Sequence, residues 1–343
     1  MRSVAERWQV ARSRRPDPAF VDLLESVEFG GAGLRYRRKA VAEALDRLPP
    51  SEYLSIRDRD ALIAAYALTP TEVSLAGEVV PAVYRGLLAV APSHRRRGLG
   101  RRLVEAALAH AEARAAGQPL LSFGVIESRN EASLRLLEEY GGQAVGGLES
   151  QLVYRQWPRP SASLARIDNN EDSAVSDALA TRRAAAGLAI RSAAELPLYA
   201  LRDDTGVRAA ARVGITTIDL GPGGPLARFL HRYAFGRFSA LGKRYNRRDF
   251  RYLTIHDPLV TDDHRAFGEF IEALLAHLGT HMALFTLDPW STTARQLRES
   301  GMFGRFSRAT RQELTIMASG WNLGEGWVDR AKKTGPAIGG PVY

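Results

Sequence analysis

The 343-residue chain is 45% hydrophobic and 25% charged, the make-up of an ordinary globular protein, and its length suits about two domains. It contains no cysteine, which excludes disulfides, thiolate metal sites and a cysteine nucleophile and is compatible with a cytoplasmic location. The net charge is +9, yet the basic residues are scattered through both halves, so attraction of a small anionic ligand is expected rather than nucleic-acid binding.

No uninterrupted apolar run approaches the ~18–20 residues of a membrane-crossing helix, and no apolar segment follows Met1 to Trp8 as in a secretory signal. Membrane association is therefore not expected. Trp8 to Arg12 alternates like a short strand, and Pro18 opens a helix with Asp17 at its N-cap position. Tyr36 to Leu48 reads as a second helix, ended by Pro49-Pro50. Strands are expected over Tyr53 to Arg57, Leu62 to Val73 and Ala82 to Ala91. A helix from Gly98 to Ala116 carries Leu99, Leu103, Val104, Ala107, Leu108 and Ala111 on one stripe, and Gly117 closes it. Leu120 to Ile126 is a strand, Asn130 to Tyr140 a helix, and Gln143 to Arg155 the last paired strands before a linker at Trp157-Pro-Arg-Pro.

The second half repeats this order faintly. Ser163 to Ile167 is a strand, Ser173 to Ala186 a helix, and Leu198 to Arg202 with Val207 to Leu220 a hairpin. After an arginine- and aromatic-rich stretch, Arg228 to Phe250, come a strand over Arg251 to His256 and a helical stripe from Phe267 to Leu278. Met282 to Leu287 is a strand, Thr292 to Ser300 a helix, and Phe306 to Ala318 a final strand pair. The repeat is one of architecture rather than identity.

The chemistry concentrates in Leu87 to Leu103. An apolar strand stops at Pro92, a short polar turn follows, and Gly98 and Gly100 open a helix. The first amides of a helix lack internal partners and favour an anion, and glycines let phosphate oxygens approach. Arg95, Arg96, Arg97, Arg101 and Arg102 surround the turn with positive charge. A dinucleotide fingerprint would need a third glycine at Leu103, and a P-loop would need Lys-Ser/Thr where Arg101-Arg102 stands.

Arg95-x-x-Gly98-x-Gly100, with Val90-x-Pro92 before it, resembles the pyrophosphate loop of the GNAT superfamily of N-acetyltransferases. Asn130-Glu-Ala-Ser133-Leu-Arg-Leu136 resembles the same family's second cofactor-flanking helix. The resemblance implies an α/β (α+β) protein of two tandem GNAT-like domains, each a mixed, mostly antiparallel sheet flanked by helices. Residues 1–157 would be the acetyltransferase, 158–326 a degenerate copy, and 327–343 a loose tail. It further implies acetyl-CoA as cosubstrate, without a metal. The backbone of Leu88, Ala89 and Val90 would pair with pantetheine, Arg95, Arg96, Arg97, Gly98, Leu99, Gly100 and Arg101 would hold the pyrophosphate, and Asn130 with Ser133 would flank the thioester arm. A small-molecule or peptide amine would attack the thioester directly; acyl-CoA binding without turnover is the alternative.

Departures from the family pattern are local. The position of its frequent proton-donating tyrosine is Leu137; Tyr140, one turn on, either substitutes for it or packs under the Gly141-Gly142 turn. Its aromatic after the glycine is replaced by Gly142. Where relatives carry a glutamate base this chain has Val125 or Tyr84, and Glu127 either serves as base or is a solvated strand-end acid, with Glu78 a weaker candidate. His94 falls in the phosphate turn, where a structural or phosphate role is expected. In the second half, Asp257, Asp262 and Asp263 would repel phosphate, so that copy is expected not to bind CoA and instead to complete the acceptor cleft or a dimer surface. His256 and His264 among those acids lack metal-ligand spacing. His231 to Phe238, with Trp290 and Trp321, either wall the acceptor site or pack the core.

Overall fold

The computed structural model describes residues 8–29, 36–167, 175, 177–179, 181, 186–191, 196–220, 247–261, 263–299, 301–303, 312–333 and 336–339. They fall into two compact units: one drawn from 1–68, 86–108 and 216–251, the other from 69–85, 109–215 and 252–343. Each unit takes chain from both halves.

The first unit holds β1 (Val10–Ser13), α1 (Pro18–Ser26), β2 (Tyr36–Arg38), α2 (Val41–Asp46) and β3 (Glu52–Asp58). It also holds the start of β4 (Ala61–Leu75), the end of β5 (Glu78–Val90) and the first turns of α3 (Leu99–Ala115). β3 pairs antiparallel with β1 and with β4. Asp17 caps α1, its Oδ1 accepting from Ala19 N at 2.8 Å, and Phe20 packs edge-on to Tyr53 with centroids 5.2 Å apart. The apolar stripe of α3 is buried at Leu99, Leu103, Val104 and Ala107. The expected helix from Tyr36 to Leu48 is shorter, because Tyr36–Arg38 is a strand whose antiparallel partner is Ile218–Leu220. That partner lies far away in sequence, out of reach of any local pattern.

The second unit continues with β6 (Leu120–Glu127), α4 (Glu131–Glu139), β7 (Gln143–Tyr154), β8 (Leu164–Ile167), β9 (Leu188–Arg191), β10 (Leu198–Asp203) and β11 (Gly206–Leu220). After β12 (Phe250–Val260) come α5 (His264–His277), β13 (Met282–Leu287), α6 (Thr292–Glu299), β14 (Gln312–Trp321), α7 (Trp327–Lys332) and β15 (Pro336–Gly339). Two short parallel pairings recur. Ala82–Tyr84 of β5 runs beside Leu121–Phe123 of β6, and Leu253–Ile255 of β12 beside Ala283–Phe285 of β13. Most other ladders are antiparallel.

β14 corrects the sequence reading. Phe306 to Ala318 was expected to close the second copy as a strand pair; residues 304–311 lie outside the described set, and Gln312–Trp321 is one strand between β6 and β7. Ser319 faces Ser122 on one side and Thr315 faces Gly147 on the other. β7 then pairs with β13, Glu149 opposite Leu287. Strands from the two halves therefore alternate across one ladder. Arg85 fastens it: this buried side chain donates through Nη2 to the carbonyls of Ser122 (3.4 Å) and Met317 (3.3 Å).

Clusters of buried apolar side chains fill this unit. Phe267, Phe270, Leu274, Phe285 and Leu297 are sealed on one side, and Leu121, Phe123, Leu188, Ile316 and Ala318 form another. Each large side chain so buried contributes roughly 1.5–3 kcal/mol before entropy is charged against it. Within 327–343, expected to be a loose tail, the described residues include α7, which buries Ala331, and β15, which lies parallel to β9 with Pro336 opposite Leu188. A Cβ at Gly146 would meet Pro336 Cγ at 2.9 Å, so β7 is shaped for that contact. The expected helix over 173–186 and the aromatic stretch 231–238 lie largely or wholly outside the described residues.

Candidate active site

In the first unit, strand, turn and helix follow in one run. Leu88, Ala89 and Val90 end β5, just past Leu87, whose φ of 59° is uncommon for a residue with a Cβ and kinks the strand. Ala91 N donates to Ile63 O at 2.8 Å, fixing the strand end against β4. Pro92–His94 forms a single 3-10 turn, and Arg95 folds back so that Nε donates to Val90 O at 3.3 Å. Arg96 (φ 62°) and Gly98 (φ 79°) then reverse the chain into α3.

The helix begins with Arg102 N donating to Gly98 O at 3.1 Å, which makes Gly98 its cap. A glycine cap offers no side-chain acceptor, so helix geometry turns the amides of Leu99, Gly100 and Arg101 outward. A Cβ at Gly98 or Gly100 would meet no atom within 4 Å, leaving open space above those amides. Arg95, Arg96, Arg97 and Arg101 are exposed around the turn. The helix dipole supplies about 0.3–1 kcal/mol for an exposed anion. Amide bonds to charged oxygens, roughly 1.5–3 kcal/mol each, are the larger contribution.

His94 is pinned within the turn. Its Nδ1 lies 2.9 Å from Ser93 Oγ, and its Nε2 lies 3.5 Å from Asp58 Oδ2 on the β3–β4 hairpin. The imidazole is 19% exposed and the carboxylate 25%. Asp58's contact with this ring is not legible in the sequence, because the hairpin Arg57-Asp-Arg-Asp reads only as a turn.

The remaining candidate residues belong to the second unit. Glu127 ends β6, opposite Leu314 of β14, and is half-buried. Asn130 caps α4, its Oδ1 accepting from Ser133 N at 3.3 Å, which leaves its amide nitrogen as a donor. Tyr140 is the half-buried residue that ends α4, with its N–H donating to Leu137 O at 3.1 Å. Leu137 itself is buried. Gly142 has a steric reason: a Cβ there would stand 2.8 Å from Leu137 O, so the family's aromatic is excluded.

The matching point of the second half is built differently. α5 is capped by Asp263, whose Oδ1 accepts from Arg265 N (3.2 Å) and Ala266 N (3.3 Å). Its Oδ2 lies 2.7 Å from Arg208 Nη2, and that hydrogen bond holds the Asp263 carboxyl below its ordinary range. In α5 a carboxylate thus bonds amides of the first turn, whereas Gly98 brings no side-chain acceptor to α3. β12 carries a kink of its own at Asp257 (φ 47°), with His256 and Asp257 buried. Asp288, at the end of β13, is also buried, and burial pushes its carboxyl above the usual value. Among the described residues no group of three or more histidine or acidic side chains is placed to hold a metal ion. No helix among them is long and apolar enough to cross a membrane.

Comparison with known proteins meets this geometry. Residues 20–125 match the family model described as an acetyltransferase (GNAT) domain. Comparison with curated proteins gives no match. Among solved structures, N-myristoyltransferase of Saccharomyces cerevisiae with bound myristoyl-CoA is similar at 11% identity and a TM-score of 0.58, over 91% of this chain and 82% of that one. A second structure of that enzyme with myristoyl-CoA gives 11% and 0.60, over 91% and 78%. A GCN5-related N-acetyltransferase from Anabaena variabilis gives 12% and 0.50, over 90% and 72%. At these identities the likeness is one of fold.

The matched residues contain the kinked strand, the arginine-rich turn and the start of the glycine-capped helix, so this segment is similar to a GNAT acetyltransferase domain.

Proposed function

We propose that this protein transfers an acetyl group from acetyl-CoA to a primary amine by direct attack. The observation that carries the proposal is the glycine cap of α3, which presents the amides of Leu99, Gly100 and Arg101, ringed by arginines, to a pyrophosphate. Arg95, Arg96, Arg97 and Arg101 balance the phosphates, and the backbone of Leu88, Ala89 and Val90 runs along pantetheine. Asn130 and Ser133 flank the thioester arm.

In the reaction the amine nitrogen bonds to the thioester carbonyl carbon, and strand amides stabilise the oxyanion that develops. Glu127 takes the proton the amine must lose. The carbon–sulfur bond then breaks, and Tyr140 gives its proton to the departing thiolate. Neither step needs a covalent enzyme intermediate, in keeping with a chain that has no cysteine. The copy in the second half, its helix capped by Asp263, takes no CoA in this reading and shapes the acceptor side. The buried Leu137 at the family's tyrosine position favours a second reading, acyl-CoA binding without turnover.

Calorimetric titration with acetyl-CoA, myristoyl-CoA and free CoA tests the first reading, followed by an amine screen for released thiol. Micromolar acetyl-CoA binding at one site per chain, with thiol release, is the expected result. Two sites would refute the closed second copy, binding without thiol release across the screen would favour the second reading, and preference for myristoyl-CoA would move the acyl assignment to long chains.

A further inference from the structure

The phosphate turn contains one titratable group that pyrophosphate binding by arginines and amides does not use. His94 lies two residues after the strand's end at Ala91 and is immediately followed by Arg95, Arg96 and Arg97. Its ring is held from both sides, by Ser93 Oγ at 2.9 Å and by Asp58 Oδ2 at 3.5 Å. A serine hydroxyl serves the imidazole in either state, donating to a bare Nδ1 or accepting from a protonated one. A carboxylate at Nε2 does not: it accepts from the neutral ring but attracts the imidazolium.

On the hairpin that carries Asp58, Arg57 is engaged with Asp17 and with the Asp60 carbonyl, and Arg59 and Asp60 are exposed. On the turn itself Arg95 is tied back to Val90 O, and Arg96 and Arg97 are exposed. Asp58 is the carboxylate these contacts place within ion-pair distance of the ring.

We infer that His94, positioned by Asp58 and Ser93, makes CoA binding proton-linked: the turn takes up a proton when the pyrophosphate arrives. The inference rests on the assignment of this turn to CoA. The sign follows from linkage. The ligand is anionic and favours imidazolium, so affinity is greatest at low pH and falls as pH rises through the range where histidines titrate. Asp58 is a positioning residue, acting only through the ring it holds.

The test is calorimetric titration with dephospho-CoA, which lacks the phosphate monoester that itself titrates near pH ~6. Measurements at pH 6 and pH 8, each in two buffers of different ionisation enthalpy, give affinity and proton uptake together. The wild-type protein should lose about fivefold more affinity between those values than His94→Gln, and should take up a fraction of a proton that His94→Gln does not. His94→Lys, a permanent cation, should bind at pH 8 as the wild type does at pH 6, which separates charge from folding damage. Asp58→Asn should keep the fold and show reduced uptake. Equal pH slopes and equal uptake in wild type and His94→Gln would overturn the inference while leaving the CoA assignment standing. No binding by any variant at either pH would overturn both.

Discussion

The two long helices that follow a kinked strand, α3 and α5, begin in opposite ways. Gly98 caps α3 with no side chain and so brings no acceptor of its own. Asp263 caps α5 with a carboxylate that bonds two of those amides and is held by Arg208. The first turn of a helix needs acceptors. The α5 helix supplies its acceptor from the chain; α3 does not, and the proposed binding turn rests on that difference.

Converting the first cap into the second is the most disruptive change. Gly98→Asp adds an acceptor and a negative charge in the phosphate turn and should abolish CoA binding, by about 100-fold or more, as desolvated like charges cost several kcal/mol. Asp tolerates a positive φ better than most residues, so circular dichroism should report an intact fold. Retained affinity would remove the turn from the site. Tyr140→Phe follows, with kcat lower by about 10²-fold and the KM for acetyl-CoA little changed, the signature of a lost proton donor. A near-normal rate would leave the ring as packing at the end of α4.

The reverse change has a smaller effect. Asp263→Ala removes the α5 cap and one of Arg208's partners, while Asp203 and Glu269 remain at 3.4 and 3.2 Å. The melting temperature should fall by a few degrees, yet calorimetry should still count one CoA site, because no glycine pair lies behind this cap. Since the Asp263 carboxyl is depressed in the folded protein, its contribution is present above the ordinary carboxylate range and lost on acidification below it. Two sites in this variant would show that the carboxylate alone closes the second copy. The smallest effect belongs to Asp288→Asn. Burial raises this carboxyl, so its ionised form opposes folding, and the amide can still accept from Trp290 N, now at 3.0 Å from Oδ1. Melting should rise by a degree or two at pH 7–8, with the gain shrinking toward pH 4.

Much of the local order was legible. Alternation and stripe marked β4, β5, α3, β6 and α4 nearly to their ends, because each forms from neighbours in sequence. The turn before α3 was legible as a turn for the same reason, its glycines and arginines lying within a few residues of one another. Asp58 was not, since nothing in a hairpin turn announces which histidine it will meet. Leu137 and Gly142 were read as departures from a family pattern; only their packing shows that Gly142 leaves no room for a side chain beside the Leu137 carbonyl.

By itself the sequence determined where chain direction changes, which helix starts are open or capped by a carboxylate, and which faces are apolar. These depend on dihedral preference, capping and periodicity, all interactions of short range. The tertiary structure alone decided that β14, from the far end of the chain, enters between β6 and β7, and that the tail closes on β9 rather than trailing free. A strand's pattern says which face is buried but not which edge will accept it, so pairing is settled only when distant edges compete for the same backbone hydrogen bonds.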